Sequence, residues 1–424
     1  MKKYLLLAAA VAAVSVANSA LAIEPALEKK VIEWRRHLHQ NPELSNREYK
    51  TSAYVESHLR SLGLEVQTGV AHTGVVAMLK GAKPGPLVAL RADMDALPVT
   101  EQTDLPFASK VTTTYRGQET GVMHACGHDT HVAILMGVAE ALTKQRDQLR
   151  GDVMFIFQPA EEGAPEGEEG GAELMLKEGL FAKRKPDAVF GLHITSSLPA
   201  GFAGLRAGPL MASEDSFEIT LTGRQTHGSR PWNGVDPIVT AAQLINATQT
   251  IVSRQVDVTK APAVVSFGAI KGGIRSNIIP DEVELIGTIR TFDQDMRADI
   301  KQRLAKTVDL VAQTNNAQSH LHINEGYPVT MNSPELVEKY TPSLQKVFGE
   351  QRVVTTPLVT GAEDFSYYAL EVPGIFFFLG GTAAGIDPEQ APSNHSPRFQ
   401  IDESALALGV KALVALTLDY QHQQ

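Results

Sequence analysis

The sequence predicts an α/β protein: a layered catalytic domain on a mixed sheet, with a ferredoxin-like α+β domain inserted into it. Three observations carry this prediction. Continuous apolar runs recur along the chain, each followed by residues of helical periodicity, and continuous runs belong to strands buried on both faces. Between about Ala212 and Glu325 the texture switches to alternating strands and amphipathic helices in the order β-α-β-β-α-β. The chain has 424 residues, more than one domain usually holds, which suggests two.

Each element has its reason. The run Pro86 to Leu90 leads into Arg91-Ala92-Asp93-Met94-Asp95, and Asp152 to Phe157 leads into Gln158-Pro159-Ala160-Glu161-Glu162-Gly163. Asp187 to Leu192 ends at His193, and Ile375 to Leu379 precedes a glycine-bearing loop that reaches His395. A helix is predicted over Asp129 to Lys144. In sheets of this kind ligands collect beyond the carboxyl ends of the strands, where all four runs place acidic residues or histidines. Within the inserted segment, strands are predicted at Ser216 to Leu221, Ala263 to Ala269, Glu282 to Thr291 and His320 to Asn324. Helices are predicted over Asp236 to Ser253 and Asp295 to Gln313. The expected division is 1–22 as a leader, 23–211 and 326–424 as the two parts of the catalytic domain, and 212–325 as the insertion. The acidic, glycine-rich stretch Glu161 to Glu173 reads, apart from its first two residues, as a solvated loop.

The N-terminus has the pattern of a secretory signal peptide: Lys2-Lys3, an apolar run from Leu5 to Val16, and Ala20-Leu21-Ala22 as the cleavage site. The run is interrupted by Ser15, Asn18 and Ser19, whereas a membrane span needs about 20 continuous apolar residues. The expectation is secretion across the inner membrane, into the periplasm of a Gram-negative cell, with no membrane anchor after cleavage. Losing Lys2 and Lys3 moves the formal charge from −10 to −12. An acidic surface without basic clusters argues against nucleic acid as a partner.

Cys126 is the one cysteine of the chain, so an internal disulfide is excluded. A lone cysteine is most often a small buried hydrophobe, but this one sits in Met123-His124-Ala125-Cys126-Gly127-His128-Asp129-Thr130-His131. Cys126 and His128 would diverge on a helix; on a bend feeding a helix both reach one ion. A helix N-terminus also favours the thiolate, the metal-binding form. Glu162, His193 and His395 follow separate strands, and Cys, His and Glu all suit zinc and its neighbours. Five ligands exceed the three usual for one catalytic zinc, which points to two adjacent ions. Glu161 and Glu162 in an extended turn point in opposite directions, one towards metal and the other, as general base, towards substrate.

With Arg35-Arg36-His37-Leu38-His39-Gln40-Asn41-Pro42-Glu43, Arg91 to Pro98, Gly361-Ala362-Glu363-Asp364-Phe365-Ser366 and Asn394-His395-Ser396-Pro397, these motifs span nearly the whole chain in order. It resembles the M20 metallopeptidase family, in the amidohydrolase branch that holds hippurate hydrolases, N-acyl-amino-acid amidohydrolases and auxin-conjugate hydrolases. The resemblance implies metal ligation by Cys126, His128, Glu162, His193 and His395, with the cysteine bridging and Glu161 as general base. It implies two divalent ions per subunit (zinc, manganese, cobalt or nickel) and an inserted domain that serves as lid and dimerisation element. Asp93-Met94-Asp95 stands where other branches carry His-x-Asp; Asp95 is assigned to supporting a ligand, and Asp93 receives no role. His37 and His39 are expected to be structural, and His131 to support His128.

In the insertion, Thr226-His227-Gly228-Ser229-Arg230-Pro231 resembles the family's lid-histidine loop, whose histidine reaches a neighbouring subunit's site and stabilises the oxyanion; working in trans, it would require a homodimer or a higher homo-oligomer. Ser276-Asn277-Ile278-Ile279-Pro280 resembles the segment whose asparagine meets the substrate carboxylate; Arg275 and Arg290 are weaker candidates for that anion. The implied reaction is hydrolysis of the amide bond of an N-acyl or N-aroyl amino acid. The alternatives are a metallo-exopeptidase acting on dipeptides or carboxy-terminal residues, and a non-catalytic metal-binding protein.

Overall fold

A computed structural model describes residues 23–423, so the predicted leader at 1–22 lies outside the described residues. The chain divides into two compact units. The first comprises residues 23–208, 332–356 and 368–423; the second comprises 209–331 and 357–367. The stretches 209–211, 326–331 and 357–367 thus fall in the second unit rather than in the catalytic part to which the sequence reading gave them.

The longer elements of the first unit begin with helices α1 (Pro25–Gln40) and α2 (Tyr49–Ser61) and strands β1 (Glu65–Val70), β2 (Gly74–Leu79) and β3 (Lys83–Asp93). Helix α3 (His128–Lys144) and strands β4 (Arg150–Gln158), β5 (Ala188–Pro199) and β6 (Ala203–Leu205) follow. The second unit contributes β7 (Ser213–Thr222), α4 (Pro237–Thr250), β8 (Ala263–Gly272), β9 (Glu282–Thr291), α5 (Gln294–Thr314) and β10 (Gln318–Glu325). The chain then returns to the first unit with α6 (Pro334–Phe348), β11 (Val353–Thr355), β12 (Gly374–Thr382) and α7 (Ser404–His422).

The first unit is built on an eight-stranded mixed sheet in the order β1-β2-β4-β3-β5-β12-β6-β11. Its four central strands, β4, β3, β5 and β12, run parallel. Every residue of β12 is buried, as a strand covered on both faces requires. Helix α3 is buried from His128 to Leu142, which explains why its sequence is apolar nearly all round; each of its fully buried large aliphatic side chains contributes about 1.5–3 kcal/mol. It packs on α1, α7 and the strands β3 and β5. One expectation fails: neither β3 nor β5 is followed by helical chain, β5 leading into β6 and then β7. Between Asp93 and α3 the chain is irregular apart from a hairpin, Thr112–Tyr115 with Gln118–Gly121, and Arg91, Asp93 and Asp95 turn to polar partners, Gln158, His131 and Ser45 among them.

The second unit is a four-stranded antiparallel sheet, order β8-β9-β7-β10, with α4 and α5 connecting its strands: the ferredoxin-like arrangement. Burial alternates along β7 and β9, one face packing Phe217, Ile219, Leu221 and Leu285 against Leu244, Ile300 and Leu304 of the helices. Asp236 caps α4 by accepting from the amides of Ile238 and Val239, and Asp293 caps α5 through Met296; such caps stabilise a helix by about 1 kcal/mol each. Among the described residues no helix is long and apolar enough to cross a membrane.

Candidate metal centre

Six of the predicted site residues meet in the first unit, towards the carboxyl ends of its parallel strands, with His193 inside β5 rather than after it. Gly127 makes the convergence of Cys126 and His128 possible. It holds φ at 97° just before α3, a conformation that L-residues resist, and the bend turns both neighbours to the same side. Cys126 Sγ stands 3.3 Å from His193 Nε2 and 3.2 Å from His395 Nε2. His395 Nε2 is 3.2 Å from Glu162 Oε1. His128 Nε2 is 3.8 Å from Glu161 Oε2 and 4.0 Å from Glu162 Oε1. Two donors on one tetrahedral zinc stand about 3.3–3.8 Å apart, so this spacing suits shared cations. The donors form overlapping groups: Cys126 with His128 and His193, Cys126 with Glu162 and His395, and His128 with Glu161 and Glu162.

The two glutamates do not point in opposite directions as the extended-turn reading expects. Both reach His128, because Ala160 takes φ 53° and folds the turn. Asp95 holds that fold: its carboxylate accepts from the amides of Glu161 (3.1 Å) and Glu162 (2.9 Å) and from Ser45 Oγ (2.8 Å). Glu48 Oε1 accepts from the Ala160 amide at 2.9 Å. The two carboxylates still differ, since Glu162 also shares a donor group with Cys126 and His395.

Hydrogen bonds set the imidazoles. His128 Nδ1–H donates to Asp95 Oδ1 at 3.3 Å, leaving Nε2 buried and without a hydrogen-bond partner. A buried polar nitrogen left unmatched is destabilising, and a cation would satisfy it. His193 Nδ1–H donates to the Ile194 carbonyl at 2.7 Å, so its Nε2 faces Cys126 as a lone-pair donor. His131 cannot ligate. The Ile194 amide donates to its Nε2 at 2.8 Å, and its Nδ1–H donates to Asp93 at 2.5 Å, so both nitrogens are used. It supports the strand that carries His193 rather than His128, and Asp93, paired to Arg91 at 2.6 Å, gains a role that the sequence reading left unassigned.

The electrostatics call for a cation. Burial pushes the Cys126 thiol far up, and Glu162, Glu161 and Asp93 push it further. Without a cation, burial beside full negative charges outweighs the partial charges of the helix end that favour the thiolate; a bound cation would reverse that balance. Burial would lower His128, but Asp93 and Asp95 outweigh it and hold the imidazolium to about 10. Burial, aided by His131, keeps His193 neutral, well below its ordinary value.

Sequence reasoning missed Asn394. Its amide donates to the carbonyls of Cys126 (2.9 Å) and Ile194 (3.1 Å) and accepts from the Ser196 amide, tying the cysteine bend, β5 and the His395 loop together. Its place next to His395 was the available signal. Glu48 was missed as well and had none. His39 is structural, donating to Asp129 at 3.0 Å in a buried network with Arg35, and His37 stacks on Tyr54.

His227 and Asn277 lie in the second unit, His227 on a short strand paired with Ile278 and Asn277 in the turn just before Ile278, where the Gly228 amide donates to its carbonyl at 2.8 Å. Arg275 is exposed in the Asn277 loop. Arg290 sits towards the far end of β9, 3.4 Å from Glu214, and is not brought to Asn277 within this sheet.

Residues 89–419 match peptidase family M20/M25/M40. Thermostable carboxypeptidase 2 of Saccharolobus solfataricus is 42% identical over 402 residues, covering 94% of this chain and 97% of the relative. The N-acetyl-L-cysteine deacetylase of Bacillus subtilis is 39% identical over 380 residues, covering 90% of this chain and 85% of the relative. Among solved structures, the YXEP protein of Bacillus subtilis, described as a dinuclear metal binding peptidase from the M20 family, superposes with a TM-score of 0.77 at 33% identity, covering 95% of this chain and all of that one.

Proposed function

We propose, on the premise that this chain belongs to peptidase family M20/M25/M40 and is a metal-dependent amidohydrolase or peptidase, that it hydrolyses the amide bond of N-acyl or N-aroyl amino acids. The observation that carries the reading is Cys126 Sγ, common to one donor group with His128 and His193 and another with Glu162 and His395. That sharing suits a pair of divalent ions, which Cys126, His128, His193, Glu162 and His395 would hold. Ions held there would acidify a water molecule and polarise the amide carbonyl. Glu161 then accepts the proton of the attacking water and returns it to the departing nitrogen. His128, His193 and His395 offer Nε2, Glu162 its carboxylate; Asp95 keeps His128 and both glutamates in place. His227 would stabilise the oxyanion and Asn277 would meet the substrate carboxylate.

The carboxypeptidase relative favours a second reading, release of a carboxy-terminal amino acid from a peptide, which the same machinery would serve. Export by removal of residues 1–22 is proposed on the sequence pattern alone. The test is hydrolysis of a panel of N-acetyl, N-benzoyl and peptidyl amino acids, before and after exhaustive chelation and with zinc, manganese, cobalt or nickel restored. Activity that survives chelation refutes the dimetal reading; turnover confined to peptides selects the second.

A further inference from the structure

We infer that Ser229 is a positioning residue that fixes His227 as a hydrogen-bond donor through Nε2–H, making the Thr226–Arg230 turn an anion-recognising element. The inference rests on the reading of His227 given above and names the residue through which that histidine is set.

The assignment follows from which partners can only donate. The Ser229 backbone N–H lies 3.0 Å from His227 Nδ1. A backbone amide has no acceptor role, so Nδ1 must carry a lone pair. Ser229 Oγ is 2.8 Å from the same nitrogen and, facing a lone pair, donates as well. A neutral imidazole whose Nδ1 accepts carries its proton on Nε2, and the side chain is exposed, so that N–H is presented to whatever the turn meets. Ser229 therefore sets tautomer and ring orientation together.

The turn that does this is stiff. The Arg230 amide closes it on the His227 carbonyl at 2.8 Å. Thr226 and His227 pair with Ile279 and Ile278 in an antiparallel ladder. The chains approach so closely at Gly228 that a Cβ there would come within 3.2–3.3 Å of the Asn277 backbone. The Nε2–H of His227 is thus presented from the ladder that Asn277 directly adjoins. The ligand chemistry that this presentation suits is a single anionic oxygen: a carboxylate, or the oxyanion that develops from an amide carbonyl.

The test uses the metal-loaded full chain and the N-acyl amino acid it turns over best. Ser229→Ala removes the hydroxyl but keeps the amide, and should lower kcat about tenfold, the loss of roughly one hydrogen bond, with KM, metal content and melting temperature unchanged. Ser229→Thr should restore the rate. In a His227→Ala background, Ser229→Ala should add nothing. A silent Ser229→Ala, or an equal further loss in the His227→Ala background, overturns the inference. Nitrogen-15 NMR of the imidazoles gives a reading independent of turnover, with the His227 signals assigned by their loss in His227→Gln. The wild type should show the Nε2–H tautomer alone, and Ser229→Ala should shift its Nδ1 signal; a mixed tautomer in the wild type overturns it. If no N-acyl amino acid is hydrolysed, the substrate reading fails by itself and the NMR result still decides the role of Ser229.

Discussion

Gly127→Ala tests how the bend at Cys126 builds the metal centre. The backbone there holds φ at 97°, which disfavours any L-residue by about 1–2 kcal/mol. An added Cβ would also lie 2.3 Å from Ile194 Cγ2 and 3.3 Å from Phe399 Cε1, an overpacking penalty of about 1–3 kcal/mol. Together these predict destabilisation of about 2–5 kcal/mol. Restoring an ordinary carbon–carbon contact of about 3.5–4.0 Å requires a shift of more than 1 Å by one side or the other. Moving residue 127 carries Cys126 and His128 with it. Moving Ile194 instead disturbs the carbonyl that holds His193 Nδ1 and the amide that is held by His131. Either route displaces donors, and misplacement of about 1 Å at a reacting centre costs about a hundredfold in rate. The assays are urea unfolding of the metal-free protein, metal content after dialysis, and kcat/KM on the best panel substrate. A Gly127→Ala protein with full metal content and unchanged kcat/KM would refute the argument that this glycine is what lets the donors converge.

Other outcomes are equally direct. Glu161→Gln should lower kcat by about 10²–10⁴ while metal content stays at the wild-type level; lost metal would mean that the two glutamates are assigned in the wrong order. Cys126→Ser should weaken metal binding, seen as earlier loss of metal to a competing chelator, while the circular dichroism spectrum of the metal-free protein stays native. Burial beside Asp95 pushes the Glu48 carboxyl up to about 8, so the folded chain takes up a proton that the unfolded chain has already released. The stability this contributes is complete below the ordinary value of 4.5 and is lost as pH rises through about 8, at up to about 1.4 kcal/mol per pH unit. Glu48→Gln, neutral throughout and still able to accept from the Ala160 amide, should gain on the wild type as pH rises from 5 to 8 in urea unfolding of the metal-free protein; a pH-independent difference would show that Glu48 is ionised in the fold.

Much of the architecture and of the candidate site was legible without coordinates. Residue type and short-range spacing suffice for the continuous strands that became β3, β4, β5 and β12, for the β-α-β-β-α-β order, and for gathering Cys126, His128, Glu161, Glu162, His193 and His395 at strand ends. The tertiary structure alone decided how those side chains act on one another. The two glutamates turn to the same histidine nitrogen because Asp95 and Glu48, far away in the chain, hold the amides of Ala160, Glu161 and Glu162. His131 supports the strand that carries His193 rather than His128, because Asp93 and the Ile194 amide use both of its nitrogens. The thiol of Cys126 is raised rather than lowered because burial and the carboxylates of Glu161, Glu162 and Asp93 outweigh a neighbouring helix end. Each of these depends on charges and hydrogen bonds from distant parts of the chain. Such interactions act over a few ångströms of space, and local sequence spacing does not encode them.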